Sequence, residues 1–392
     1  MRILFVTPYV PSVVRVRPFA FIRELAAQGH QVTLACLVQP ASEASYLSEV
    51  QPYCTQVYPV FLEKLSIAHH LLSSLPGREP LSVAYCRSAE FDRLVKDLAE
   101  KGDYDLVHTE FVRAVPATLK LTGYPRIFDA VDSLTLAYRR SMQAAMVPAK
   151  QRMVSIIEWL KMRSYEPWVF KQYERVLVSS PIDRSVMAQS TRPVEVIPNG
   201  VDVDYFAYDP RPSSSHTLVF VGKMSYYVNV ASVLWFYHEV LPRIRRECPD
   251  VCFQIVGRNP VKAVRQLAAD PGVVVTGTVE DIRPYLAQAA IAVCPMVSGS
   301  GIQNKVLEAM AVGTPCVITS LAVQALQAKD GEEVSVADSP EGFAASVLEL
   351  LEQPERRANL SEMGREYVNR HHRWSQIGLQ LEECYKDLFV RN

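Results

Sequence analysis

The feature that most limits what this chain can fold into is its alternation of short β-branched runs with helix-spaced segments. Residues 2–7 (RILFVT) form a compact apolar run, and residues 31–38 (QVTLACLV) form another. Between them, residues 18–28 place Phe19, Ile22, Leu25 and Ala26 at helical spacing and stop at Gly29. Glycine suits the left-handed turn beyond a helix end. The order is a β-α-β unit. Such crossovers join parallel strands, so the pattern predicts a parallel sheet with helices on its faces. Further strands are expected at 105–109, 125–131, 175–179 and 194–198.

Residues 207–216 (AYDPRPSSSH) lose the apolar period and read as a linker. A second alternating series follows, with strands expected at 217–221, 251–256, 273–276, 291–295 and 315–319. Helices are expected at 230–247, 261–269, 282–289, 304–312 and 342–352, and segments 355–370 and 374–388 read as helices with no strand between them. The expectation is α/β: two doubly wound, Rossmann-like domains at 1–206 and 217–370, the linker 207–216, and a terminal helix at 371–392. A length of 392 residues suits two domains. Two such domains facing each other would line one cleft with their strand ends, which suits an enzyme with two substrates.

Composition excludes several alternatives. With 41 basic and 42 acidic residues the net charge is −1, which argues against a globally basic nucleic-acid binder. No run approaches the roughly 20 apolar residues of a membrane-spanning helix, and the opening run is too short for a signal-peptide core. The eight cysteines contain no CxxC pair, so neither zinc spacing nor a disulfide framework is visible, and a reduced cytoplasmic compartment is the simplest reading. The first βα turn, residues 8–17 (PYVPSVVRVR), has no glycine, and no GxxxxGK[ST] loop occurs. Dinucleotide oxidoreductases and P-loop NTPases need those glycines for close backbone approach to phosphate. Arg15 and Arg17 in this turn are candidates for holding phosphate or carboxylate, or else are solvated loop charges.

The richest segment is residues 295–310 (PMVSGSGIQNKVLEAM). A strand end, a Gly/Ser loop (Gly299, Ser300, Gly301, Ile302, Gln303) and a helix start near Asn304 would aim backbone N–H groups and a helix dipole at an anion. Lys305 adds a full charge, and Glu308, about one turn on, suits a pair of ribose hydroxyls. The alternative is an ordinary turn with Glu308 well placed near a helix start. In the first βα turn of the second domain, Gly222 and Lys223 stand where a phosphate would bind, and Asn229 is expected to cap the next helix. In the first domain Asp129 and Asp132 follow a strand and are candidate catalytic carboxylates, able to orient an acceptor hydroxyl or stabilise an oxocarbenium-like state. His108 also ends a strand and reads either as a ligand-binding or as an internally satisfied histidine. Asp202-Val203-Asp204 has the form of a metal-binding DxD but reads as a turn. Residues 138–172 carry seven basic and two acidic residues with Trp159 and Trp168, a face for an anionic membrane or simply a solvated helix.

GSGIQNKVLEAMA (299–311), VIPNGVD (196–202), the Val219–Gly222 strand turn and Gly313 together resemble a GT-B glycosyltransferase of glycosyltransferase family 4. The resemblance runs from the Gly29-His30 turn to the terminal helices and is strongest to sugar transferases of bacterial exopolysaccharide and surface-glycan clusters. It implies retaining transfer from a nucleotide-diphosphate sugar, with no cofactor and no required metal. The donor would bind the second domain: Glu308 on the ribose, Lys223 and Lys305 on the diphosphate, Gly299 to Gln303 on sugar and phosphates. The acceptor (a glycan, a lipid-linked or a small-molecule hydroxyl) would bind the first domain, against which 371–392 would pack back. Departures are Ser300 where the family has a second glutamate, Val13-Val14 for a common Gly-Gly pair, and only Lys223 from an expected Arg-and-Lys pair. A nucleotide-sugar epimerase and a non-catalytic partner in glycan assembly are the alternative readings.

Overall fold

The computed structural model describes residues 1–39, 41–62, 64–74, 76–187, 193–207 and 216–390. Positions 208–215 of the expected linker lie outside the described residues. The chain divides into two units: Met1–Leu136, Ile156–Asn199 and Trp374–Asn392 form the first, and Ala137–Ser155 with Gly200–Arg373 the second. Residues 137–155 and 200–206, which the sequence reading places in the first domain, therefore group with the second.

Unit 1 holds β1 (Arg2–Thr7), β2 (Gln31–Val38), β3 (Gln56–Phe61), β4 (Leu106–Glu110), β5 (Arg126–Val131), β6 (Arg175–Val178) and β7 (Val194–Val196). Their order is β3-β2-β1-β4-β5-β6-β7, and every pairing is parallel. Alternation along β1 divides the core between the two sheet faces. Ile3 and Phe5 pack with Phe21, Ile22 and Leu25 of the helix Val16–Ala27 and with Trp374, Ile377, Leu381 and Tyr385 of the helix Trp374–Val390. Leu4 and Val6 pack on the other side, with Phe91, Val95 and Ala99 of the helix Ala89–Lys101. A strand covered on both faces is apolar throughout, which is why β1 reads as a continuous run.

Unit 2 repeats the plan with β8 (Thr217–Val221), β9 (Cys252–Val256), β10 (Val273–Gly277), β11 (Ile291–Cys294), β12 (Cys316–Ile318) and β13 (Ser335–Val336), ordered β10-β9-β8-β11-β12-β13 and parallel throughout. The edge strands β3 and β13 are additions to the sequence reading. β3 is mostly half-exposed and β13 has two residues, so neither leaves a continuous apolar run. The helix expected at 230–247 instead starts at Tyr227 and passes through a π-helical turn, Phe236–Val240, just before Pro242, whose missing N–H breaks the regular ladder.

In sheets of this order, ligands sit beyond the carboxyl ends of the two strands where the winding reverses. Those strands are β1 and β4 in unit 1, and β8 and β11 in unit 2.

Candidate functional site

In unit 2 the loops leaving β8 and β11 start side by side, because Ile291 and Ala292 pair with Leu218 and Val219. The β8 loop carries Gly222 and the exposed Lys223; the β11 loop runs through Ser298 to Gln303 into the helix Asn304–Val312. Gly299 has φ +100, and a Cβ there would lie 3.3 Å from Val228. This helix has no side-chain cap at its start and ends at Gly313 in the left-handed conformation, so its first-turn donors are not closed by a local hydroxyl or carboxylate.

Lys305 reaches back from this helix. Its ammonium donates to Asn229 Oδ1 at 2.6 Å and lies 4.5 Å from the centre of the Phe220 ring. Asn229 Nδ2 in turn donates to the Lys223 carbonyl at 3.1 Å. Asn229 is thus no cap: Tyr226 stands at the cap position, and the Asn229 amide ties both loops together from inside the first turn. The half-buried Glu308 makes no hydrogen bond among the described residues; burial pushes its carboxyl up to about 7, against the pull of Lys305. Burial also lowers Lys305 from the usual amine range, opposed by Cys294 and Glu308. Ser298 is buried, and its hydroxyl has no partner among the described residues.

Two further contributors carry no sequence signal of their own. Gly257, at φ +149 after β9, brings its backbone so close that a Cβ there would lie 1.8 Å from the Gly222 oxygen. Arg140 donates to the Gly299 carbonyl at 3.0 Å and to Gln324 Oε1 at 3.0 Å, holding the glycine loop from outside. Asp202 accepts from the Tyr205 N–H at 3.0 Å, and the 91 % exposed Asp204 pairs with Arg373 at 3.6 Å; the DxD form is a turn here.

Unit 1 is built differently at the equivalent place. Arg17, 5 % exposed, grips Asp129, 0 % exposed, through Nε–Oδ2 at 2.7 Å and Nη2–Oδ1 at 3.1 Å. Its remaining nitrogen donates to Ile197 O at 2.8 Å and to Asn199 Oδ1 at 2.9 Å. The expectation of Arg17 as a loop charge for a ligand is corrected: its guanidinium is enclosed and used to fasten the β7 turn to β5. Asp129, expected to follow its strand into a cleft, is drawn into the same pair and has no exposed surface; a bidentate guanidinium–carboxylate contact is among the strong hydrogen-bonded pairs. Arg15 is the exposed member of the pair, 4.7 Å from the Tyr9 ring and 3.7 Å from Glu43.

His108 is satisfied at one ring nitrogen only, its Nε2 having no hydrogen-bond partner among the described residues. It is buried, stacked on Phe5 at 4.2 Å, and its Nδ1 shares a 2.7 Å hydrogen bond with the Tyr385 hydroxyl. Burial pulls it down to about 4, so it is neutral. Glu110, which sequence reasoning missed, accepts from the Tyr9 hydroxyl at 2.7 Å and is pushed up to about 8 by burial and by Asp129. His108, Glu110 and Asp129 converge as metal ligands would, but the Arg17 guanidinium already holds the cationic place beside Asp129. Asp132 is the one candidate of the three with exposed surface; it accepts from Ser179 Oγ at 2.7 Å, and burial, with Asp183 nearby, pushes it up to about 7. Phe111 (φ 64) and Val131 (φ 65), just past β4 and ending β5, are in the left-handed region that such side chains avoid. Strain of this kind gathers where a site must hold an unusual shape.

Comparison with known proteins fits this geometry. Residues 16–205 match the model described as glycosyltransferase family 4, and residues 215–353 match glycosyl transferases group 1. A phosphatidyl-myo-inositol mannosyltransferase of Mycolicibacterium smegmatis is 26% identical over 381 residues, covering 94% of this chain and 92% of that protein. An uncharacterised 44.6 kDa protein in the cps region of Klebsiella pneumoniae is 21% identical, covering 83% of each. Among solved structures, a sucrose-phosphate synthase from Thermosynechococcus elongatus superposes with a TM-score of 0.73 at 17% identity over 100% of both chains. Anabaena Alr3699/HepE in complex with UDP and glucose gives 0.71 at 14%, over 99% of this chain and 100% of that one.

Proposed function

Because the chain is a GT-B glycosyltransferase of family 4, using a nucleotide-sugar donor, we propose that it is a retaining enzyme whose unit 2 binds a nucleoside diphosphate sugar. The observation that carries this is the half-buried Glu308 carboxylate without a hydrogen-bond partner among the described residues, three residues beyond Lys305, on a helix entered from a glycine loop. A carboxylate in that place accepts two vicinal ribose hydroxyls. Lys305 and Lys223, with the loop from Gly299 to Gln303, meet the diphosphate without a required metal. Ser300 supplies a hydroxyl where the family has a carboxylate, so the sugar is held there by neutral hydrogen bonds. In the transfer the bond from the anomeric carbon to the phosphate oxygen breaks, and a bond to the acceptor oxygen forms on the same face. The acceptor proton leaves with the diphosphate or to water. In this reading Asp132, which accepts from Ser179 Oγ at 2.7 Å and keeps some exposed surface, orients the acceptor.

Of the acceptor classes, the lipid-linked one is favoured. The helix Ala149–Phe170 exposes Met153, Ile156, Leu160 and Trp168 along one stripe, flanked by Lys150, Arg163 and Lys171. That composition suits peripheral contact with an anionic membrane, and a relative's name includes a phosphatidyl-inositol. A calorimetric panel of UDP, GDP, dTDP, ADP and CMP, with and without magnesium, tests the donor reading. One nucleoside diphosphate binding without metal supports it; none binding, or binding unchanged in Glu308→Ala, overturns it. Co-sedimentation with anionic vesicles at low salt tests the membrane reading, and absence of binding ends it.

A further inference from the structure

At the amino-terminal end of the unit 2 strands, opposite the donor loops, three side chains converge that the donor site does not use. His216 immediately precedes β8, while Cys248 and Asp250 lie in the turn between the helix Leu241–Glu247 and β9. Backbone hydrogen bonds fix both segments: Cys252 N–H donates to His216 O at 3.0 Å, and Val251 N–H to Cys248 O at 3.2 Å. His216 Nδ1 is 2.7 Å from Asp250 Oδ2, Cys248 Sγ is 3.4 Å from the same Nδ1, and Sγ donates to Asp250 Oδ1 at 3.3 Å. His216 and Asp250 are exposed, and Cys248 is 9% exposed. Cys248 and Asp250 both contact one nitrogen of the imidazole. A nucleophilic relay needs the thiol on one ring nitrogen and the carboxylate on the other, so this arrangement is not a Cys-His-Asp catalytic set.

We propose that His216, Cys248 and Asp250 bind one borderline-soft divalent cation, zinc above all. Tetrahedral zinc with ordinary bond lengths separates a thiolate from a nitrogen or oxygen ligand by about 3.5 Å, and nitrogen from oxygen by about 3.3 Å. The sulfur–nitrogen separation of 3.4 Å is already within about 0.2 Å of that. Asp250 meets the sulfur through Oδ1 and the imidazole through Oδ2, so a rotation of this exposed carboxylate brings one oxygen into place beside both. Thiolate, imidazole and carboxylate together select zinc over the hard cations magnesium and calcium. Water completes the fourth position. A thiol binds as thiolate and an imidazole as its neutral form, so the ion enters by displacing protons. Because the ligands stand before β8 and β9, at the amino ends of the strands, the ion staples the entry into unit 2 and leaves the donor loops after β8 and β11 untouched.

The test uses the full chain stripped with chelator and titrated calorimetrically with zinc in two buffers of different ionisation heat. Cadmium is followed in parallel by its thiolate charge-transfer absorption. One equivalent taken up, a buffer-dependent heat from proton release, and a cadmium–thiolate band are expected. His216→Ala and Cys248→Ser should each lower affinity at least about tenfold, while Cys252→Ser leaves it unchanged. No saturable uptake of either ion, or uptake of equal strength in both ligand variants, overturns the site. His216 is exposed, so its variant reports binding without a burden on the core.

Discussion

The two units carry the same sheet order but treat the charges at their strand ends differently. In unit 1 the ion pair at the switch point is closed upon itself: Arg17, Asp129 and Asn199 form one enclosed set, while His108 and Glu110 each have a tyrosine hydroxyl on one atom and, at Nε2 and Oε2, no hydrogen-bond partner among the described residues. In unit 2, Glu308 and the Ser298 hydroxyl have no hydrogen-bond partner among the described residues, and Lys305 is held by a single amide oxygen and a sulfur. An ion pair with all its donors engaged contributes rigidity. A charged side chain left half-buried without one, as Glu308 is, has an acceptor open to a ligand or to water.

The largest break in that contrast comes from Arg17→Ala. Removing one partner of a buried ion pair costs about 3–5 kcal/mol, to be read as a lower denaturation midpoint, while nucleotide affinity of the folded fraction stays unchanged. A midpoint within experimental error of the native protein would mean that the pair is not structural. Glu308→Ala should do the reverse: nucleoside diphosphate affinity falls about tenfold to a hundredfold, the scale of charge-assisted hydrogen bonds, with no loss of thermal stability.

Acidity sharpens the same comparison. The Glu308 carboxyl stands at about 7, so nucleotide affinity should fall as pH drops below about 7, and Glu308→Gln should flatten that dependence in calorimetry at pH 6 and 8. In unit 1 the effect falls on folding. Glu110 is raised to about 8 from an ordinary 4.5, so folding takes up a proton between those values and stability declines as pH rises through that window. Glu110→Gln keeps an acceptor for Tyr9 and removes the decline, melting higher than the native protein at pH 8 and alike at pH 4. The smallest effect is expected for Gly299→Ala, where φ +100 and the Val228 contact together cost about 1 kcal/mol, with a modest loss of nucleotide affinity.

The same contrast explains what could be read in advance. The unit 2 site lies largely in consecutive residues, from Ser298 to Glu308, so one segment displays loop, helix start, cation and carboxylate together. Both sheets were legible for a similar local reason, since strands covered on both faces leave uninterrupted apolar runs. The Arg17 set joins positions 112 and 182 residues apart. Nothing near Arg17 in sequence announces Asp129 or Asn199, and a guanidinium in a loop looks the same whether enclosed or free. Asn229 was read by its proximity to a helix start, whereas its partner Lys305 is 76 residues away. The cation ligands His216 and Cys248, 32 apart, escaped for the same reason.

The helix Trp374–Val390 packs into unit 1, although all of Gly200–Arg373 precedes it in the chain. On the ribosome, at about 5–20 residues per second, unit 1 is begun first yet lacks Ile377, Leu381 and Tyr385 until unit 2 has emerged. The order of synthesis and the order of completion are thus inverted. The nascent first unit must wait, with an apolar face of the helix Val16–Ala27 uncovered, for a segment made after its neighbour is whole.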